Sequence, residues 1–173
     1  GDMGENRGHS GGMYENYYLH IFNNTRRIIA DCDASNQLGL AGVMRIVQAY
    51  GTLMTTDAHG PLAYSSILSG EYESYFPFDS QQDIYIAMLK DLDKAITDIQ
   101  NMTEAEKLTL ATFDSWCQAD TELWVKIANT MKLRMALRLS KREAEMSAAG
   151  IDLKAVAAAA APNTLATVNK DIV

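Results

Sequence analysis

A mostly α-helical chain, organised as tetratricopeptide-like helical pairs with long irregular loops, is expected from three features of the sequence. The first is Asp120 to Lys141, where Trp124, Ile127, Ala128, Met131, Met135 and Leu139 recur at spacings of three and four, with Leu133 and Leu137 on a second stripe. The second is a similar period in Leu38 to Met54 and again in Ser80 to Gln100. The third is short punctuation between these segments, which makes successive helices antiparallel neighbours. Tyr14–Cys32 is expected to pair with Leu38–Met54, and Ser80–Gln100 with Thr121–Arg142. Repeated pairs of this kind stack as a solenoid, although the tetratricopeptide consensus itself is not written in the chain.

The elements follow in order. Five of the 11 glycines fall within the first twelve residues, so residues 1–12 read as a flexible lead-in and residues 13–173 as one α-helical domain. Tyr14 to Cys32 carries an apolar face of Leu19, Ile21, Phe22, Ile28 and Ile29, broken by Asn23, Asn24 and Thr25; Asp31 to Asn36 forms the first turn. Leu38 to Met54 has a core set of Leu40, Val43, Met44, Val47 and Leu53. Its Gly39, Gly42 and Gly51 lower helix propensity, and close helix packing is the plain reason to keep them. From Thr55 to Pro77 no helical period persists, and His59-Gly60-Pro61, Ser69-Gly70 and Phe76-Pro77 mark turns. Asp79 or Ser80 caps the third helix, with Asp83 in capping-box position and Ile84, Met88, Leu89, Leu92, Ile96 and Ile99 inward. Asn101 to Gln118 reads as a connector with one helical turn at Glu104 to Lys107. Asp120 or Thr121 caps the fourth helix, with Glu122 at the positive end of its dipole and Lys141 and Arg142 at the negative end. Asp152 opens a short alanine-rich fifth helix that Pro162 ends.

Composition excludes several functions. A net charge of −7 and a pI near 4.9 argue against nucleic-acid binding, which needs a basic face. Lys126, Lys132, Arg134, Arg138, Lys141 and Arg142 do gather on the fourth helix, where Asp91, Asp93, Glu122 and other helix-surface carboxylates are their expected partners. No GxSxG, Walker loop or HExxH is present, and His9, His20 and His59 are scattered, so no catalytic residue, metal or cofactor is expected. Asp31 and Asp33 flank a turn, while Asp91 and Asp93 at i and i+2 do not share a helix face. Cys32 and Cys117 fit neither a CxxC nor a metal spacing and are expected as two buried thiols, a disulfide being the alternative. No apolar run is long enough to span a bilayer.

Two motifs on the third and fourth helices carry a resemblance. Trp124-x-Lys126-x-Ala128-Asn129-x-x-Lys132-Leu133-Arg134-x-x-x-Arg138 is similar to the signature helix of the SusD/RagB family. Pro77-x-Asp79-Ser80-Gln81, Ile84-Tyr85 and Leu89-x-Asp91-Leu92-Asp93-x-Ala95 resemble the helix that opens after a proline and a Ser/Gln cap in that family. Gly60 and Tyr64-Ser65 stand where the family writes a Gly-Asp-x-Pro-Tyr loop, with Pro61 and Ala63 as departures. Gln118 and Ala119 replace a glycine-rich turn. The match runs from about Ile21 to Ala160.

The resemblance implies a non-catalytic, lipid-anchored protein of the outer membrane, facing the cell surface. Such a protein captures an oligosaccharide, or less often a peptide, as a lid on a TonB-dependent, SusC-like transporter. It further implies that the chain is partial, with its lipid anchor upstream and its fold incomplete at the C-terminus, and that exposed helix faces allow self-association. Stacking surfaces for sugar are the residues to look for, because flat rings with polar tips fit the C–H faces of sugars. Tyr64, Tyr72 and Tyr75 in the long loop, beside Phe76 and Phe78, and Trp116 in the connector are the candidates. A plainer reading has these rings sealing the core, as Trp124 and Tyr85 are expected to do. A helical scaffold that grips a peptide is the competing function.

Overall fold

The computed structural model describes residues 7–68 and 75–165. Among the described residues, helical backbone is present from Arg7, inside the glycine-rich lead-in, and runs on as α1 (Arg7–Asn16), a π-helical stretch (Tyr17–Phe22) and α2 (Asn23–Ala34). The polar run Asn23-Asn24-Thr25 does not break this helix. The wider π turn displaces backbone carbonyls from their i+4 partners. Asn24 Nδ2 donates to the carbonyl of His20 at 2.9 Å and Thr25 Oγ1 to that of Ile21 at 2.9 Å, so the polar side chains satisfy the disturbed turn. The same stretch turns Tyr17 and Phe22 into the core, whereas Leu19 and Ile28 stay exposed.

Helix α3 (Leu38–His59) runs five residues beyond its expected end, and α5 (Gln81–Gln100) packs against it. Its inward face is set by Ala41, Val43, Ile46, Ala49 and Leu53, while Leu40, Met44 and Val47 lie at the rim. Buried Arg45 pairs with Asp33 of α2 and, at 3.3 Å, with Asp98 of α5, tying three helices together. Next come α4 (Ser65–Leu68), α6 (Glu104–Phe113), α7 (Thr121–Arg138), a 3₁₀ turn (Leu139–Arg142), α8 (Glu143–Ala148) and α9 (Leu153–Ala160). Helices α2 with α3, α3 with α5, α5 with α7 and α7 with α9 are successive neighbours, which is the expected tetratricopeptide-like stacking of mostly α-helical pairs.

Local cap chemistry sets the boundaries. Ser80, Asp120 and Asp152 accept from first-turn N–H groups of α5, α7 and α9. The expected single turn after Thr103 is instead the ten-residue helix α6, opened by a full capping box between Thr103 and Glu106. The other oxygen of Glu106 accepts from Gly39 N–H at 2.8 Å and so anchors α6 to the start of α3. On α7, Leu137 is 64% exposed, so the second apolar stripe is not core; Asn129 and Lys132 are buried instead. Lys132 pairs with Asp93 as expected. Arg134 and Arg138 find Asp57 near the end of α3, with Arg138 bonded directly and Arg134 at 4.0 Å, while Tyr85 Oη donates to the same carboxylate at 2.6 Å. Cys32 and Cys117 are both buried and unpaired.

The long loop is closed at its base. Asp79 N–H donates to Leu62 O at 2.8 Å in an isolated antiparallel bridge. The Asp79 carboxylate accepts from Tyr64 N–H (3.0 Å), Ser65 N–H (2.7 Å) and Ser65 Oγ (2.6 Å). Burial alone would raise the pKa values of Asp79, Glu106 and Asp114, but the hydrogen bonds they accept outweigh it and hold all three below the usual carboxylate range. Groups depressed in the folded state stabilise it fully above pH ~4, where the unfolded carboxylates are ionised, and that contribution disappears as pH falls through the lower folded values. The melting temperature should therefore hold between pH 7 and pH 5 and drop by on the order of 5 °C or more between pH 4 and pH 3, followed by circular dichroism.

Candidate ligand-binding site

The connector between α6 and α7 is held by one side chain. Asp114, which ends α6, accepts from the N–H groups of Trp116 (2.9 Å) and Cys117 (3.0 Å) through Oδ1, and from Ala119 N–H (2.9 Å) and Trp124 Nε1 (2.8 Å) through Oδ2. Four donors on one carboxylate fix the turn and the indole of Trp124 together. Gln118 and Ala119 complete the reversal with φ of 52° and 63°, the left-handed region that favours glycine. Since Gln118 is exposed, Gln118→Gly should relieve this strain and raise stability by about 0.5–1 kcal/mol despite the added freedom of the unfolded chain, measured by urea titration.

The fixed turn presents Trp116. Its ring stacks on Trp124 (centroids 6.0 Å apart, 16° between planes), stands edge-on to Tyr50 at 6.3 Å, and remains 50% exposed. Trp116 lies at the junction of two apolar hollows. One, of about 440 Å³, runs between α3 and α7 and is walled by Ile46, Tyr50, Leu53, Ile127 and Met131, with Arg134 also lining it. The other, of about 260 Å³, lies toward α6, where Phe113 and Val47 line it. Burial, with the charges of Asp114 and Asp120, pushes the Cys117 thiol up to about 12, so at neutral pH it is an apolar part of the wall.

The three ring candidates among the described residues, Tyr64, Tyr75 and Trp116, are not brought together. Tyr64 is 3% exposed, tilted against Phe22 at 5.3 Å, with its hydroxyl donating to Asp91 at 3.3 Å, so it is a core residue with no face for a ligand. Tyr72 falls outside the described residues. Tyr75 is 73% exposed, beside exposed Phe78 in the closing arm of the long loop, and neither lines the hollows at Trp116. Among the described candidates, Trp116 alone has both exposure and a rigid support. Asp114 and Tyr50 are not among the sequence candidates, and Ile127 is expected only as part of the apolar stripe of its helix. The legible signal was Asp114-Ser115 just ahead of a tryptophan, a pattern that favours side-chain-to-backbone turns. Among the described residues there is no cluster of three or more metal-ligating groups, and none of the helices is long and apolar enough to cross a membrane.

Residues 5–171 match the SusD-like family model, described as "Susd and RagB outer membrane lipoprotein". No curated protein matches the chain. Among solved structures, a SusD-like protein from Bacteroides thetaiotaomicron is similar with a TM-score of 0.71 at 25% identity, covering 91% of this chain and 31% of its own. A chitin-binding SusD homolog from Flavobacterium johnsoniae gives 0.71 at 24% identity, covering 87% of this chain and 30% of its own. A SusD homolog from Bacteroides uniformis gives 0.60 at 26%, covering 81% and 27%. The chain thus spans about a third of the length of these solved relatives.

Proposed function

The chain belongs to the SusD-like family of SusD and RagB outer-membrane lipoproteins, and from that premise we propose that it is the nutrient-binding part of a cell-surface uptake system, capturing oligosaccharide for a TonB-dependent transporter. Binding without catalysis agrees with the family. The observation that carries the sugar reading is the Trp116 platform: a half-exposed indole with a second indole stacked on it, in a turn fixed by four hydrogen bonds. A ring held in place loses little freedom when the C–H face of a sugar settles on it. The helical pairs are the frame against which a transporter packs, and a lid motion of the whole lipoprotein delivers the ligand.

Calorimetry against a panel of plant, host and microbial oligosaccharides tests this reading. Trp116→Ala should weaken the best ligand by about tenfold or more, equivalent to ~1.4 kcal/mol, while Tyr75→Ala leaves it within about twofold. Equal affinity of Trp116→Ala and wild type would place recognition elsewhere. If peptides bind and no sugar does, the helical scaffold is the better description.

A further inference from the structure

The hollow behind Trp116 has walls that a bare sugar does not match. Ile46, Leu53, Ile127 and Met131 offer only hydrocarbon and thioether surface, and Thr130 Oγ1 is already engaged, accepting from Leu165 N–H at 3.0 Å and donating to Lys126 O at 2.8 Å. A sugar hydroxyl pushed past Arg134, in among Ile46, Leu53, Ile127 and Met131, would lose water and find no partner on those side chains, which is unfavourable. An aromatic or acyl group would instead exchange water for apolar contact over most of its surface. The volume, about 440 Å³, lies in the range of small-molecule pockets and exceeds what a methyl or acetyl group fills. At the polar end sits Arg134, half exposed and 4.0 Å from Asp57, whose carboxylate is bonded directly by Arg138. The guanidinium therefore offers donors to a carbonyl or ether oxygen on the ligand.

Resting on the sugar-binding reading above, we propose that the α3/α7 groove is a subsite for an apolar substituent, an aryl or bulky acyl group, carried by the sugar that stacks on Trp116. The site thus selects decorated over undecorated saccharides. The sugar ring stays on the half-exposed indole at the mouth, and the substituent passes Tyr50 to lie between Ile127 and Leu53.

Matched pairs of simple probes test it: the 4-nitrophenyl and methyl glycosides of glucose, xylose, galactose and N-acetylglucosamine, titrated by tryptophan fluorescence and calorimetry. For at least one sugar the aryl glycoside should bind roughly tenfold or more tighter than its methyl partner. Ile127→Gln, a half-buried wall position, should remove that preference with an unchanged melting profile, and Tyr50→Ala should reduce it. Equal affinity within every pair, no binding by any aryl glycoside, or a preference that survives Ile127→Gln would overturn the subsite. Oligosaccharide binding that depends on Trp116 without any aryl preference sinks the subsite and leaves the capture reading intact. Aryl preference that persists in Trp116→Ala, with no oligosaccharide bound by the wild type, shows an apolar pocket with no sugar platform and sinks the capture reading.

Discussion

Asp114→Ala should cost about 3 kcal/mol of stability and abolish ligand binding at Trp116 together. The carboxylate accepts three backbone N–H bonds and one indole N–H bond, all between 2.8 and 3.0 Å. Each charge-assisted bond contributes ~1.5–3 kcal/mol at most, and the loss is sub-additive because water reaches the vacated donors of this half-buried turn. Strain adds to the effect. With the clamp gone, only the Asp120 N–H bond to Cys117 O (2.9 Å) remains across the left-handed backbone of Gln118 and Ala119, too little to hold it, so the turn relaxes and Trp116 leaves its stack on Trp124. Asp114→Asn separates the two roles. An amide keeps one acceptor oxygen, so it should retain part of the stability at neutral pH and lose the acid sensitivity that the depressed carboxylate confers. Urea titrations at pH 7 and pH 4, with near-ultraviolet circular dichroism reporting the tryptophan pair, read both effects. Unchanged tryptophan signals in Asp114→Ala would show that the turn is held by something else.

What could be read from the sequence divides along physical lines. Ser80, Asp120 and Asp152 were legible as caps because capping is decided within four residues. The Thr103–Glu106 box is equally local, but no apolar period extends the expected single turn: Leu110 is the buried apolar side chain of α6, while Leu108 and Phe113 are 73% and 79% exposed. Helix α3 shows the opposite difficulty. Its face toward α2 and α5 includes Arg45, Gln48 and Thr52, which a hydrophobic period excludes, while its small residues Ala41 and Ala49 carry little weight in such a period. The burial of Arg45 and Thr52 depends on Asp33, Asp98 and Tyr17, which lie on other helical segments.

The site was half legible for the same reason. Tyr64 and Trp116 look alike as loop aromatics. One is locked in the core because Asp91 receives its hydroxyl and Phe22 meets its ring; the other is left half exposed by a turn whose clamp lies two residues before it. Tyr50 lies inside a helix whose sequence reads as core, and the groove beside it is made by α3 and α7, which are far apart in sequence. Arg134 was expected to need a carboxylate; that the partner would be Asp57, on a stretch read as loop, required the longer α3.

The seam between α3 and α5 makes the second large effect. Gly42→Val should destabilise the chain by about 3–4 kcal/mol and is the substitution expected to disrupt the stack of pairs most. A Cβ at Gly42 would lie 2.9 Å from the carbonyl oxygen of Ala95 and 3.1 Å from Ile99 Cγ1. The first of these is helix backbone and has no rotamer by which to retreat, so α5 must move as a body. Ala95 is fully buried, as are Met88 and Leu92 on the same helix, and separating the helices loosens contacts along this whole face. Gly42→Ala shares the clash but regains up to ~1 kcal/mol of helix propensity, leaving a net loss of about 1–2 kcal/mol. Gly39 is the control. Its added Cβ would meet Met102 Cγ and Cε at 2.7–2.8 Å, which can swing aside, and Met102 Cβ at 2.8 Å, which moves only with the non-helical turn that carries it, so Gly39→Ala should cost about 1–2 kcal/mol, less than Gly42→Val because a turn yields more readily than a helix. Urea midpoints that rank Gly39→Ala as harmful as Gly42→Val would show that crowding at glycine, rather than the rigid backbone opposite it, sets the penalty.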